Sequence, residues 1–374
     1  MNNIVEELYG SIEEGRKGKN KGLATGIAKM DSYTGGIQKG IYYLIFGTSG
    51  SGKTSLALYS YIYRPLKDYP DKDFLIVYFS LEMSAKALMG KLLSHYIYET
   101  YGKVISYKTL MSWDTPLDGE LYNCVLESKQ WLSSVMNKLI IFDKALNRDR
   151  FYSSMMGILE QHGTFEETDG GKRRIYIPDD PNKLIIGVVD HVGLAKPKTG
   201  SNKKEEIDAI SAYAVTFREN CGISWIMLQQ ENRNSASMDR RKADLTECSP
   251  EDLKDTGNTY NDCDVCIGVY NPIKFKVKVH RGYPIIMDKI DGDEGFIGLR
   301  DRYRALCLIK NRQGDVDKLV SVNFFGEIGL FKELPKAKDI VDFTNYLSLD
   351  IKKDEVVKDK NNEEQEKQQL IYNF

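Results

Sequence analysis

Gly47-Thr48-Ser49-Gly50-Ser51-Gly52-Lys53-Thr54 is the stretch that decides the fold. It reads GxxxxGK[ST], with the apolar run Ile41 to Phe46 before it and a helix-favouring run from Lys53 after it. Strand, loop and helix in that order are the context a phosphate-binding loop requires. Its glycines let backbone N–H groups turn inward around phosphates, and the helix start adds the positive end of its dipole. Lys53 is placed to reach the β- and γ-phosphates, and the Thr54 hydroxyl to ligate magnesium. Gly47, Thr48, Ser49, Gly50, Ser51, Gly52, Lys53, Thr54 and the following Ser55 therefore form the candidate nucleotide-binding segment. ATP and Mg2+ are the implied cofactors.

Outward from this loop, strands and helices alternate. Further strands are expected at Phe74 to Ser80, Leu184 to Val189, Ser224 to Leu228, Val265 to Tyr270 and Ala305 to Lys310, with helices from Ala85 and over Glu205 to Asn220. That pattern predicts an α/β fold with a mainly parallel twisted sheet flanked by helices. Two carboxylates stand where such a sheet needs them. Asp190 ends the buried run Lys183-Leu-Ile-Ile-Gly-Val-Val-Asp190 and is the candidate metal-holding acid beside Thr54. Glu82 follows the strand after the glycine loop's helix, where strand ends face the nucleotide, and is the candidate base for the attacking water.

The segment Tyr78-Phe-Ser-Leu-Glu-Met-Ser84 closely resembles the stretch after the second core strand of DnaB-type helicases. Gly26-Ile-Ala-Lys-Met-Asp31 through Gly35-Gly36 and Gly40 looks like the start of the same RecA-type domain. Leu228-Gln229-Gln230-Glu231-Asn232-Arg233 is similar to the motif whose Gln, here Gln230, senses the γ-phosphate and signals to DNA-binding loops. Asp252-Leu253-Lys254-Asp255-Thr256-Gly257 resembles the family's DNA-binding loop, and Ile309-Lys310-Asn311-Arg312-Gln313-Gly314 its strand end that offers Lys and Arg to a neighbouring subunit's ATP. The resemblance, to the motor domain of replicative helicases, covers about residues 20 to 335. It implies a RecA-like P-loop ATPase that translocates on single-stranded DNA as a homohexameric ring. Glu82, Lys53, Gln230, Lys310 and Arg312 would be its catalytic residues, and Asn232, Arg233, Lys254, Thr256 and Gly257 its DNA contacts. The family's N-terminal collar has no counterpart, which points to a bacteriophage or mobile-element origin, and the DNA loop reads Lys-Asp where Arg-Glu is usual. A filament-forming RecA/RadA-like recombinase and a KaiC-like regulatory ATPase would carry the same loop and fold.

The remaining sequence sets the boundaries. The 374 residues are 41% hydrophobic and 28% charged with a net charge of −2, so nucleic acid would be held by local patches rather than by total charge. Basic clusters occur at Lys172 to Arg174, Arg240 to Lys242, and Lys274, Lys276, Lys278 and Arg281. Apolar runs are of strand length, short of the roughly 20 residues that span a bilayer. Residues 1 to 22 mix Glu and Lys without the apolar core of a secretory signal, so a cytoplasmic location is expected. Ile4, Leu8 and Ile12 mark an amphipathic linker helix there, which should pack on an adjacent subunit. Of six cysteines only Cys263 and Cys266 have metal-like spacing, and the apolar pattern around them reads as core thiols. Residues 165–177 and 274–300 look like inserted β-hairpins. The motor domain is expected over residues 23–335. Residues 336–374 form a polar tail, expected to be largely disordered from about Asp350 and to dock a primase, loader or other replisome protein through Leu370 to Phe374.

Overall fold

The strand entering the glycine loop is buried at every position on both faces, as a central strand of a parallel sheet must be. The structure is a computed structural model that describes residues 2–18, 20–168, 173–232, 246–253, 258–287 and 298–349. Its strands are β1 (Tyr42–Gly47), β2 (Phe74–Ser80), β3 (Leu139–Phe142), β4 (Gly163–Thr168), β5 (Arg173–Pro178), β6 (Leu184–Asp190), β7 (Ser224–Gln230), β8 (Val265–Tyr270), β9 (Val279–His280), β10 (Tyr283–Pro284), β11 (Tyr303–Asn311), β12 (Lys318–Phe325) and β13 (Leu330–Glu333). Nine of them form one sheet in the order β13-β12-β11-β8-β1-β7-β6-β2-β3. From β8 to β3 neighbours run parallel, and from β8 to β13 antiparallel. The core strands thus form where the apolar runs placed them, with ends shifted by one or two residues.

Side chains alternate across this sheet. Tyr43 and Ile45 of β1 with Ile76 and Tyr78 of β2 pack into one apolar layer beneath the helical stretch that starts at Lys53 and the helix Ala85–Tyr101. Leu44 and Phe46 with Val77 and Phe79 pack into the opposite layer against the helices Arg148–Leu159 and Lys203–Cys221. Period-two alternation with both faces apolar is why these strands read as continuous hydrophobic runs. Gly187 sits level with Trp225 on the next strand, and a Cβ there would lie 2.2 Å from the indole, so only glycine permits that approach.

The chain leaves the glycine loop through the helix Lys53–Leu56, a π-helical stretch Ala57–Tyr63 and the helix Arg64–Asp68. β4 and β5 pair antiparallel as the first inserted hairpin. In the second inserted region the paired residues are β9 with β10, two residues each. Cys263 and Cys266 are buried core thiols. Phe343, Tyr346 and Leu347 pack on a third apolar cluster with Tyr283 and Tyr303, and Asn323 Nδ2 donates to the Tyr346 carbonyl at 2.7 Å. The packed body therefore runs past the boundary expected at residue 335, because these three apolar side chains have a surface to cover. Residues 350–374, with the expected docking tip, lie outside the described residues. The N-terminal helix Asn2–Arg16 forms, with Ile4, Leu8 and Ile12 exposed. Among the described residues no helix is long and apolar enough to cross a membrane.

One buried group makes stability depend on pH. His95 is buried with its ring 5.5 Å from Tyr59 and 5.1 Å from Tyr63, and burial pushes its imidazole down to about 4. A folded-state value below the ordinary 6.5 means that this stability is complete above 6.5 and lost as pH falls through 4. The loss from His95 should total about 3 kcal/mol. Denaturant melts of the parent and His95→Phe between pH 7 and 4 check this: the variant should lose that part of the slope, and an unchanged slope would assign the acid sensitivity elsewhere.

Candidate functional site

Parallel strands that share a direction end at one edge, and that edge gathers the site. β1 ends at Gly47, β2 at Ser80, β6 at Asp190, β7 at Gln230 and β8 at Tyr270. Ligands in such sheets bind outside the carboxyl ends of the strands. Gly47 pairs level with Gln230, and Ser80 with Asp190, so loop, acid and Gln lie side by side.

The glycine loop turns through Gly50 at φ 66° and Gly52 at φ 106°, both left-handed conformations that glycine accepts without strain. Lys53 Nζ donates to the carbonyls of Gly47 at 2.9 Å and Thr48 at 2.8 Å, so the ammonium is folded over the loop. Burial pushes it down to about 8, against the charges of Glu231, Asp190 and Glu82 that hold it up. Thr54 Oγ1 donates to Asp190 Oδ1 at 3.1 Å, and the Tyr78 hydroxyl donates to Oδ2 at 2.7 Å. Asp190 is 1% exposed, and burial raises its carboxyl to about 6 although both hydroxyls favour the charged form.

Glu82 is exposed at the mouth of this arrangement, and its charge acts on Lys53, Asp190, Lys91 and His191. It does not cap the next helix. Ser84 does, accepting from the Ala87 amide, which leaves the Glu82 carboxylate facing the site's charges. Gln230 is exposed at the end of β7, while Gln229 is buried and accepts from Thr259 Oγ1 at 2.6 Å. Asn232 is held by its amide, which donates to the Asp252 carbonyl at 2.9 Å. The expected contacts Arg233, Lys254, Thr256 and Gly257 lie outside the described residues.

Lys310 and Arg312 are not part of this edge. Lys310 pairs level with Cys266, and Cys266 with Leu44, while the Arg312 amide donates to the Asp264 carbonyl beside Tyr42, so the two cations stand back along β1, about 10 and 16 Å from its Gly47 end. Lys310 Nζ donates to the carbonyls of Tyr260 and Asn261, while Arg312, with a side chain 48% exposed, pairs with Asp264 at 3.0 Å. Asp264 is also held by Arg218 at 2.8 Å and by the Tyr42 amide at 2.9 Å.

Several contributors escaped the sequence reading. Tyr78 was visible only as a strand residue, although a hydroxyl on the position two before the strand's end could have signalled a partner. Arg304 is 2% exposed, donates to the Ser51 carbonyl at 2.7 Å and to those of Asp301 and Tyr303, and lies over the Phe324 ring at 4.7 Å. Burial pushes it down to about 10. Lys274 donates to the Ser49 carbonyl. Glu231 is the foremost carboxylate acting on Lys53. Each depends on a strand pairing that local sequence does not announce.

The donors suit a polyphosphate and a hard divalent cation: a glycine loop, a lysine, and a hydroxyl beside a buried carboxylate. Residues 22–111 match the family model of the DnaB-like helicase C-terminal domain. Over 280 residues the chain is 26% identical to the replicative DNA helicase DnaB of Helicobacter pylori strain J99, covering 74% of this chain and 50% of that protein. The chain thus spans about half the length of that curated relative. Among solved structures, the ATPase domain of G40P superposes with a TM-score of 0.65 at 20% identity, over 90% of this chain and all of that one. A DnaB-like replicative helicase, described with its interactions with primase, gives 0.66 at 19% over 90% of this chain and 68% of that one. The fold is RecA-like.

Arg304 offers a test of the loop's support. Arg304→Met keeps an apolar stem and leaves the buried Ser51 carbonyl without this partner, which should cost about 1–3 kcal/mol of stability. Nucleotide affinity should fall as well, because the loop loses its fixed backing. Calorimetric melts with ATP titrations of the same preparation check both, and undiminished ATP affinity would show that the loop holds its shape alone.

Proposed function

We propose, starting from a chain related to DnaB-like replicative helicases, that this protein is an ATP-hydrolysing motor that translocates on single-stranded DNA as a homohexameric ring during replication. The observation that carries this reading is the separation of the glycine loop from Lys310 and Arg312 to opposite edges of one sheet. Cations set back about 10 to 16 Å along the strand from their own loop serve a nucleotide best when they belong to the neighbouring subunit.

Gly47 to Ser55 hold the triphosphate, and Lys53 exchanges the Gly47 and Thr48 carbonyls for phosphate oxygens. Thr54 and Asp190 would hold magnesium, which neutralises phosphate charge when bound. Glu82 orients a water and takes its proton as the water oxygen bonds to the γ-phosphorus and the bond to the bridging oxygen breaks. Gln230, beside Gly47, reads the terminal phosphate and passes the change to Asn232 and the segment holding Arg233, Lys254, Thr256 and Gly257. Those residues would grip DNA through its phosphates, so binding should weaken as salt rises. Arg312, itself half-exposed, can leave the buried Asp264 because Arg218 and the Tyr42 amide remain to hold that carboxylate. The N-terminal helix would pack on an adjacent subunit and the tail would meet a primase or loader.

Glu82→Gln should bind ATP and DNA as the parent does and turn over about 10²–10⁴ more slowly. Single-turnover hydrolysis checks this, and a parental rate would move the base to another residue. Arg312→Ala should assemble and bind ATP but lose roughly 10³-fold in rate. Mixed with Lys53→Ala, it should regain part of both ATPase and unwinding of a forked duplex, because one interface then pairs an intact loop with an intact finger. No rescue, together with a rate per chain independent of protein concentration, would show that each site is complete within one chain.

A further inference from the structure

We propose that Lys274 is a second phosphate-binding lysine, acting in cis beside Lys53 on the nucleotide held by Gly47 to Thr54. The inference deepens the nucleotide-binding reading above and rests on it. β8 is the parallel neighbour of β1, so the chain that follows β8 emerges at the glycine loop's edge. The turn Pro272–Phe275 comes directly after it and carries Lys274 to the loop, where Nζ donates to the Ser49 carbonyl. A Cβ on Gly50 would lie 3.2 Å from the same nitrogen.

The turn does not need this lysine for its own shape. Phe275 stacks on Tyr270 at 5.5 Å, and the adjoining hairpin is anchored by His280, whose ring nitrogens meet the Tyr303 hydroxyl and a Glu247 oxygen, each at 2.7 Å. Nor is it the loop's brace. Arg304 already fills that role from within the core, whereas Lys274 is exposed.

With Lys53 and Arg304, three cations of one chain thus hold the carbonyls of Gly47, Thr48, Ser49 and Ser51. Lys274 acts unfavourably on the charge of Lys53, and Arg304 on that of Lys274. Mutually repelling cations on one loop weaken the fold unless a polyanion draws on them, and a bound triphosphate is such a polyanion. An exposed lysine has the rotational freedom to turn from a carbonyl to a phosphate oxygen in its reach. Lys274, where the second inserted region begins, would then be part of the nucleotide site.

The test compares Lys274→Met and Lys274→Arg with the parent in the full chain, using ATP hydrolysis, binding of fluorescent ATP and ADP analogues, and thermal melts. Without nucleotide Lys274→Met should melt at or above the parent's temperature, yet lose roughly 10- to 100-fold in kcat/KM and bind both analogues more weakly, with Lys274→Arg recovering part of each. Mixed with Lys53→Ala, Lys274→Met should gain nothing, because both cations serve one site and neither mutant chain has an intact one. Parental binding and turnover in Lys274→Met, or rescue by Lys53→Ala, would overturn the proposal. Lys53→Ala alone separates the two readings: if it too binds ATP as the parent does, the nucleotide site itself is wrong; if it loses binding while Lys274→Met does not, only the role of Lys274 falls.

Discussion

Asp190 cannot carry its charge alone in the core, and the arrangement that lets it do so ties the site together. A carboxylate at 1% exposure needs partners on both oxygens, and it takes them from Tyr78 on β2 and Thr54 on the glycine loop's helix. Three elements far apart in sequence are thereby fixed to one another at the sheet's carboxyl edge. Both hydroxyls work against the desolvation that raises the carboxyl to about 6. An acid so poised keeps its anionic form near neutrality while remaining close enough to protonation to need a cation nearby, and Lys53 is that cation.

β11 extends the same logic to the other edge. It runs antiparallel to β8, so this nine-residue strand presents Arg304 at the glycine loop and, toward its other end, Lys310 and the following Arg312 set back along β1. The burial of these cations differs with their surroundings. Arg304 is enclosed by carbonyls and an aromatic ring, while Arg312 rests half-exposed on an aspartate with other partners. A guanidinium buried among several carbonyls is a structural element, and a half-exposed one held by an aspartate with other partners and the Asn261 carbonyl can be recruited elsewhere.

The sheet was legible in the sequence because its parallel strands are buried on both faces, so Phe74 to Ser80 and Val265 to Tyr270 read as unbroken apolar runs with correct bounds. That the loop, Asp190 and Glu82 lie at the carboxyl edge of the sheet was legible because each follows or ends a strand whose apolar run is plain in the sequence. What brought in Arg304 and Lys274 was not. Their roles follow from strand order, β11 beside β8 and β8 beside β1, which no local pattern encodes. The polar spacing of residues 336–349 hid Phe343 and Tyr346, whose burial depends on a cluster assembled from β10, β11 and the turn after β8.

The three cations at the glycine loop differ in freedom, and that difference bears on how a loop can be both rigid and responsive. Arg304 is planar, buried and held by the carbonyls of Ser51, Asp301 and Tyr303, so it has nowhere else to go. Lys53 is buried but flexible, and exchanging two carbonyls for phosphate oxygens costs it little geometry. Lys274 has solvent on one side and a single loop carbonyl on the other. One immobile cation sets the loop's shape, so the two mobile ones can follow the charge of the nucleotide.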